Sequence, residues 1–434
     1  MENLNEELVM EILYRLPVDS ILQCILVCKT WRTLVRNTYF VNNHYLHQLQ
    51  LLHEQQLDVD KLLDHHNTKS IVSLGQVFLI EKGNFRFQYF DETYDYENNH
   101  IGHDLLHPFD HFYKKLLTTF SDLRVQDNND YYYFLYPIGS CSGLVCFCFM
   151  YNLREFRDVP FSLLTYPLFV CNPITGEYVN LPRCGAKEKD FPIGIMSGIG
   201  YDYFNNVYKV VVAIHNMQEL ELWPNRLQVY TLGEINGWRN IKIPYDISGA
   251  SGECIHIDGS LFWMHRDCCN IVAFDLSNEV FVLLPQPPIY NPNGTHYKKL
   301  HILRNRLCVV LSRYPHLEIW TVKKRKKKLE LNNNSSTLES TDCWSWIKEL
   351  SMPLEGLGTS SYMSKNLIPV TVLNDGQVLL WDYARKALFL YDPRTTTTKK
   401  IVDNDVHKWD YVRSLPHMNS FASLKALGMN SKWI

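Results

Sequence analysis

The chain has 434 residues, 46% of them hydrophobic and 21% charged, with a formal net charge of −3. That length holds a small module plus a large repeat domain, and the 13% aromatic content supplies ample apolar area for a core. The balanced charge excludes the broad basic face of a nucleic-acid binder, and no run reaches the ~18–20 apolar residues of a membrane span. The acidic start, MENLNEEL, enters a helix and does not read as a secretory or transit segment. Twelve cysteines are scattered, several inside apolar strands (Cys146, Cys171, Cys308), so they read as reduced, buried thiols of a cytoplasmic and/or nuclear protein.

Residues 1–45 carry helical periodicity: Leu8, Ile12, Leu13 and Leu16, then Ile21, Leu22 and Ile25, then Val27, Trp31 and Leu34. Asn5 is a good N-cap, and Glu6 and Glu7 favour the positive end of the helix dipole. Leu16-Pro17 ends this first helix, since proline has no N–H to continue the ladder. Asp19 and Ser20 offer a cap for a second helix over Ile21 to Val27, and a third is expected from Lys29 to Arg36. Tyr39 to Gln56 reads as a linker helix, with a polar hinge over Asp58 to Lys69, so 46–70 form the connection.

From about residue 71 to 424 the grammar changes to short strands separated by Gly, Asn, Asp and Pro turns. One unit recurs: a strand, a tight turn and a second strand ending on an apolar residue plus proline. Its copies are VCNPITGEYVNLP, VYTLGEINGWRNIKIP, VAFDLSNEVFVLLP, a copy interrupted by an insertion (EIWTVK to CWSWIKELSMP) and LFLYDPRTTTTKKI. Before each comes another hairpin: CSGLVCFCF, GIGYDYFNNVYKVVVAI, IHIDGSLFWMH, LHILRNRLCVVLS and VTVLNDGQVLLWDY. Two of these place Asp-Gly between apolar runs, a strong hairpin signal.

Two hairpins make a four-stranded antiparallel sheet. The closing prolines Pro182, Pro244, Pro285 and Pro353 stand 62, 41 and 68 residues apart, the longest interval holding the insertion. Four strands at a period of ~40–50 residues mark a β-propeller blade. Five blades are readable between Tyr131 and Asp403. Ile71 to Leu123, joined by Tyr411 to Leu424, supplies a sixth closed by both ends, in a range of five to seven. Residues 425–434 read as a tail. The insertion at 323–341, KKRKKKLELNNNSSTLEST, is too polar to pack and reads as a solvated loop, its basic run being the nuclear-signal candidate.

Chemistry is sparse. Gly139-Ser140-Cys141-Ser142-Gly143 spells a nucleophile elbow, but an elbow needs a helix after the turn and LVCFCF is a strand. His100, His103, His107 and His111, with Asp104 and Asp110, are the densest metal-capable group, yet Pro108 interrupts the helix that would align them. Cys268-Cys269 and Cys141, Cys146 and Cys148 lack zinc-ribbon spacing. Trp238, Trp263, Trp320 and Trp381 recur near strand ends, where packing between blades is the simpler reading than a stacking platform. No catalytic residue, metal or cofactor is expected.

With these residues in view, the chain resembles the plant F-box family with a kelch-like, F-box-associated β-domain. The F-box resemblance covers Leu4 to about Tyr45, through EILYRLPVDSIL and VCKTWRTLV; GSCSGLVCF, CNPITGEYVNLP, GIGYDYFNNVYKVV, IVAFDLSNEVFVLLP and LYDPRT carry the rest. The resemblance implies a small all-α three-helix module before an all-β, kelch-like propeller. It also implies docking on a Skp-type adaptor, and through it a cullin, within a ubiquitin ligase that acts on a target protein of unknown identity. By the same resemblance Leu8, Ile12, Leu16, Pro17, Ile21, Leu22, Val27 and Trp31 fall on positions for the module's fold and adaptor contact. The chain departs from the family at Asn5, usually proline, at Asp19, usually basic, and at Gln23-Cys24-Ile25-Leu26, usually more basic. The alternatives are a β-propeller enzyme or carbohydrate-binding protein, or an adaptor-bound regulator without ligase output.

Overall fold

The computed structural model describes residues 5–37, 39–41, 43–48, 50, 75–82, 84–90, 133–151, 164–184, 190–216, 226–244, 247, 250–265, 270–284, 297–303, 306–313, 316–325, 343–353, 367–373, 377–382, 385–402 and 411–433. The histidine group at 100–111, Cys268-Cys269 and most of the insertion lie outside these residues.

Three short helices open the chain. α1 (Glu6–Leu13) is capped by the Asn5 side chain, which accepts from the Glu7 N–H at 3.2 Å. It stops three residues before the expected end, because its last turn tightens: the Arg15 and Leu16 N–H groups reach back only three residues, to Ile12 and Leu13. α2 (Val18–Cys24) starts earlier than the sequence indicated. Pro17, not Asp19 or Ser20, holds the N-cap position with φ −64 and ψ 155, a conformation the proline ring favours. The stretch 25–27, assigned from sequence to this helix, is a turn. α3 (Lys29–Val35) follows, and helix continues over 39–41 and 43–48.

Among the described residues the β-domain forms six sheets. β1 (Gly75–Lys82) and β2 (Asn84–Phe90) come first. The first blade is β3 (Tyr133–Cys141), β4 (Leu144–Tyr151), β5 (Leu164–Cys171) and β6 (Glu177–Asn180). The second is β7 (Asp190–Asp202), β8 (Val207–Asn216), β9 (Arg226–Thr231) and β10 (Arg239–Lys242), and the third β11 (Ala250–Ile257), β12 (Ser260–His265), β13 (Ile271–Asp275) and β14 (Val280–Leu284). The fourth is β15 (Tyr297–Leu303), β16 (Arg306–Arg313), β17 (His316–Arg325) and β18 (Cys343–Pro353). The fifth is β19 (Leu367–Val372), β20 (Val378–Asp382), β21 (Ala387–Asp392) and β22 (Thr397–Val402).

β23 (Tyr411–His417) then pairs antiparallel with β1 and completes the three-stranded sheet β2-β1-β23 from both parts of the chain. The inner strands β3, β7, β11, β15, β19 and β23 neighbour one another in turn, and β23 returns to β3, which closes the ring. β24 (Lys432–Trp433) adds to the outer edge of β6, so the segment read as a tail is part of the first blade. The insertion also begins later than its polarity indicated. Lys323, Lys324 and Arg325 extend β17 opposite Ser345, Trp344 and Cys343, since the ladder with β18 continues past the apolar run.

The repeat has a physical cause. Asp202, Asp275 and Asp392 each end a strand and Asn172 directly follows one, and each side chain accepts backbone N–H groups two or three residues on, an Asx-turn. Gly176, Asn206, Glu279 and Thr396, four residues later, leave the turn with φ between 54° and 77°. Asp258-Gly259 forms the two-residue turn with both φ positive that the sequence indicated, at 48° and 75°.

Apolar clusters lie between consecutive blades. Val211, Leu227 and Val229 of the second blade pack with Leu261, Trp263 and Phe274 of the third, and Leu317 and Ile319 of the fourth with Val378 and Leu380 of the fifth. Trp263 and Trp381 are completely buried, while Trp238 and Trp320 flank inter-blade clusters, as packing residues should. Lys209 ties the second blade to the third. Its Nζ lies 3.1 Å from Asp202 and 3.0 Å from Glu279. Burial alone would raise the Asp202 carboxyl, but hydrogen bonds from Asn205, Ser277 and Lys209 outweigh it and hold it below the usual carboxylate range.

Candidate adaptor-docking module and its seat on the propeller

α1 shows two stripes. Val9 and Leu13 are buried, whereas Leu8 and Ile12, also four residues apart, are 54% and 53% exposed. Beyond α2, Leu26 and Val27 are exposed at 69% and 59%. Of the thirteen exposed large hydrophobic residues in the described structure, six belong to the first 50 residues. Large apolar side chains concentrated on a small module mark a surface that a partner covers.

Of the other expected contact residues, Pro17 is exposed, while Leu16, Leu22 and Trp31 are half-buried against the module core. Ile21 has no exposed surface; it packs in the core with Leu13, Val18 and Leu34, beneath the exposed aliphatics. Leu26 is a surface aliphatic that sequence reading passed over. Its departure from the family's basic pattern was the available signal.

The helical core is incomplete without the propeller. Phe421, just after β23, is 6% exposed and belongs to the core formed by Val9, Leu13, Ile21 and Phe40. Its ring centroid stands 6.5 Å from Phe40 and 5.7 Å from His44. In exchange, Tyr45 of the linker helix enters the propeller's cluster between the first and second blades. Its hydroxyl bonds the Ser142 hydroxyl, and its ring meets Tyr201 edge-on at 5.8 Å. Each part therefore donates an aromatic ring to the other's core, and the described part of the expected linker helix is packed against the propeller, while the expected hinge at 58–69 lies outside the described residues.

His44 lies at the centre of this seat with no exposed surface. Its Nε2 bonds the Leu16 carbonyl at 3.0 Å, and its Nδ1 has no partner among the described residues. Burial lowers its pKa to about 4, only partly offset by the Leu16 bond.

The propeller side is held by the turn after β3. Ser142 and Gly143 have φ of 52° and 85°, a tight two-residue hairpin turn, and β4 follows at once. Strand and not helix follows Cys141, so the elbow is absent, as its flanking residues indicated. A side chain at Gly143 would fall 1.9 Å from the Ser420 hydroxyl, because the C-terminal segment crosses there. That segment is strapped down by Asn172, which donates to the Ser420 and Ala422 carbonyls at 3.0 and 2.7 Å, and by Glu177, which accepts from Ser423 at 2.9 Å.

The same end of the ring holds one pair that sequence could not reveal. Cys141 Sγ is 3.2 Å from His256 Nδ1, although 115 residues separate them. The spacing suits a nucleophilic cysteine, but burial pushes the thiol up to about 12 and the imidazole down to about 4. Both shifts favour the neutral forms, so this is a packed thiol–imidazole contact and not an activated nucleophile. Because β3, β7 and β11 all end beside His256, the helices cover the face from which the first-to-second and third-to-fourth strand turns emerge. The other ends of these inner strands lie on the opposite face. Among the described residues no group of three or more metal-capable side chains gathers, and no helix is long and apolar enough to cross a membrane.

Comparison with known proteins agrees with this architecture. Residues 1–43 match the F-box domain, and residues 105–410, more than half of the chain, match the F-box associated beta propeller domain. The chain is an F-box protein of the F-box-associated β-propeller family. It is similar to the F-box/kelch-repeat protein At3g23880 of Arabidopsis thaliana, with 25% identity over 90% of this chain and 88% of that one. It is also similar to the F-box protein At5g10340 of the same plant, with 26% identity over 59% of this chain and only 55% of that relative's length. Among solved structures, a chain of a nidogen/laminin complex aligns over 64% of this F-box protein and 84% of its own length, at 14% identity and a TM-score of 0.32, a likeness too low to carry an argument.

Proposed function

We propose that this F-box protein is the target-recognition subunit of a Skp–cullin–F-box ubiquitin ligase, acting in the cytoplasm and/or nucleus. The helical module docks on a Skp-type adaptor, and the propeller holds a target protein. The observation that carries the reading is the exposed aliphatic surface of Leu8, Ile12, Leu26 and Val27 on a module otherwise packed into the propeller. F-box domains generally bind a Skp-type adaptor, which supports the reading, and an apolar surface of this kind is what a stable partner desolvates. The F-box protein contributes no bond chemistry; its part is proximity, raising the effective concentration of target lysines near a charged conjugating enzyme.

In this reading the target meets the face of the ring opposite the helices. The test is co-purification of recombinant adaptor with the full chain carrying Leu8→Asp and Ile12→Asp. Both side chains are more than half exposed, so the fold should be retained while capture falls at least tenfold. Undiminished capture would sink the adaptor assignment. Reconstituted ubiquitination of candidate targets then separates a ligase receptor from an adaptor-bound regulator.

A further inference from the structure

An outermost strand leaves one row of backbone N–H and C=O groups unpaired, and native sheets cover such edges or place charge on them. Among the described residues, the edge of β6 is covered by Lys432 and Trp433. β10 carries Arg239 and Lys242, β18 carries Lys348 and Glu349, and β22 carries Lys399 and Lys400. β14 differs. It reads Val280-Phe281-Val282-Leu283-Leu284, pairs only with β13 among the described residues, and exposes Val280, Val282 and Leu283 by 49%, 42% and 42%.

This edge also borders an apolar wall. Val282 stands opposite Ala273 and Leu284 opposite Ile271, and the last three residues belong to the cluster between the third and fourth blades. By the two-residue period of a strand, Val282 points toward the fourth blade. From that blade Trp320, Trp344 and Trp346 pack against the same cluster, all half-buried. Trp320 pairs with Lys348, and Trp346 and Trp344 precede Lys348 by two and four residues, so the three rings share one face of the β17–β18 hairpin.

We propose that this edge and wall bind an extended, uncharged segment of the target protein, added to β14 as a fifth strand with apolar side chains at alternate positions. Backbone bonds to the free edge hold such a segment, and alternate side chains enter between Val282 and the tryptophans. The chain fills the equivalent edge of the first blade with its own β24, so outer edges of this propeller accept strand addition. Charge decides the chemistry: β14 has none, and Lys348 is already neutralised by Glu318 at 2.6 Å while lying over the Trp320 ring. β14 itself offers a charged segment no counter-charge; on the wall, Lys324 opposite Trp344 adds one positive charge at its end. A second copy of the chain is the poorer occupant, since self-pairing of a five-residue edge falls well short of the roughly 800 Å² per partner of a stable interface.

The source of the segment rests on the receptor reading above. The probe is a fluorescein-labelled heptapeptide of alternating threonine and valine, titrated against the full chain by fluorescence anisotropy. Saturable binding is expected, weakened at least tenfold by Val282→Lys, by Trp346→Ala, and by methylating alternate backbone nitrogens of the peptide. Val280→Lys, at a more exposed site, serves if Trp346→Ala fails to fold. Absence of saturable binding, or binding indifferent to these changes, overturns the proposal. So does self-association of the chain in sedimentation that Val282→Lys abolishes. Adaptor capture is measured on the same samples. Absent peptide binding by an unmodified chain that still captures the adaptor overturns only the edge site, whereas absent capture by the unmodified chain overturns the receptor reading.

Discussion

Replacing Phe421 by alanine is the sharpest probe of how the helices are held. The side chain lies on the propeller's C-terminal segment, yet 94% of it is buried, in the helical core between Phe40 and His44. Truncating a buried phenylalanine removes its transfer free energy and leaves a cavity, together about 3–5 kcal/mol. The ring is shared across the seat, so that cost falls on the junction and not on the inter-blade clusters. If the junction opens as a local unit, a loss of about 3 kcal/mol speeds amide exchange there by roughly 150-fold. Hydrogen exchange followed by mass spectrometry should show this over 43–48, with the fully buried run Val210–Ile214 of β8 unchanged. Phe421→Leu, which refills most of the space, should cost less than about 1.5 kcal/mol. Equal acceleration in both segments would show that Phe421 contributes to global stability only. No acceleration in either would refute the shared-core argument.

Two further outcomes follow from the same seat. The His44 pKa is lowered to about 4 by burial, from 6.5, so between those values the open state binds a proton that the closed state does not. Stability of the junction is therefore fully present above about pH 6.5 and is lost progressively as pH falls toward 4, by up to about 3 kcal/mol. Exchange over 43–48 should accelerate between pH 6.5 and 5 in the native chain and do so much less in His44→Gln. Asn172→Ala removes two bonds to the C-terminal segment and the Asx-turn bonds to Ile174 and Thr175, a loss of about 2–4 kcal/mol at roughly 1 kcal/mol per bond. Limited proteolysis should then cut within 418–433 at a protease dose that leaves the native chain intact.

Much of the architecture was readable because its causes are local. Each hairpin and each proline-ended unit became a pair of strands, and the outer strands end at Asn180, Lys242, Leu284 and Pro353, at or just before the prolines that mark the period. Asx-turns work through the residue's own neighbours, so Asn172, Asp275 and Asp392 announce themselves in sequence. Helix ends were read less well. A capping preference at Asp19 or Ser20 yielded to the fixed φ of Pro17, and the last turn of α1 tightened beyond what periodicity shows. For the expected contact positions, the family resemblance named Leu8, Ile12 and Val27 together with Ile21 and could not say which of them are exposed. Ile21 shares their chemistry and differs only in which way the packed helix turns it.

Residue order alone prescribes the helical module and the blade repeat. These depend on 3.6- and two-residue periods and on turn chemistry, which act over a few residues. Packing of the folded chain sets the closure of the ring through β1 and β23, the exchange of Tyr45 and Phe421 between cores, the neutral Cys141–His256 contact, and the uncharged edge of β14 beside three tryptophans. Those depend on which surfaces meet as the ring closes, across 115 residues for Cys141 and His256, and no local preference encodes such a meeting.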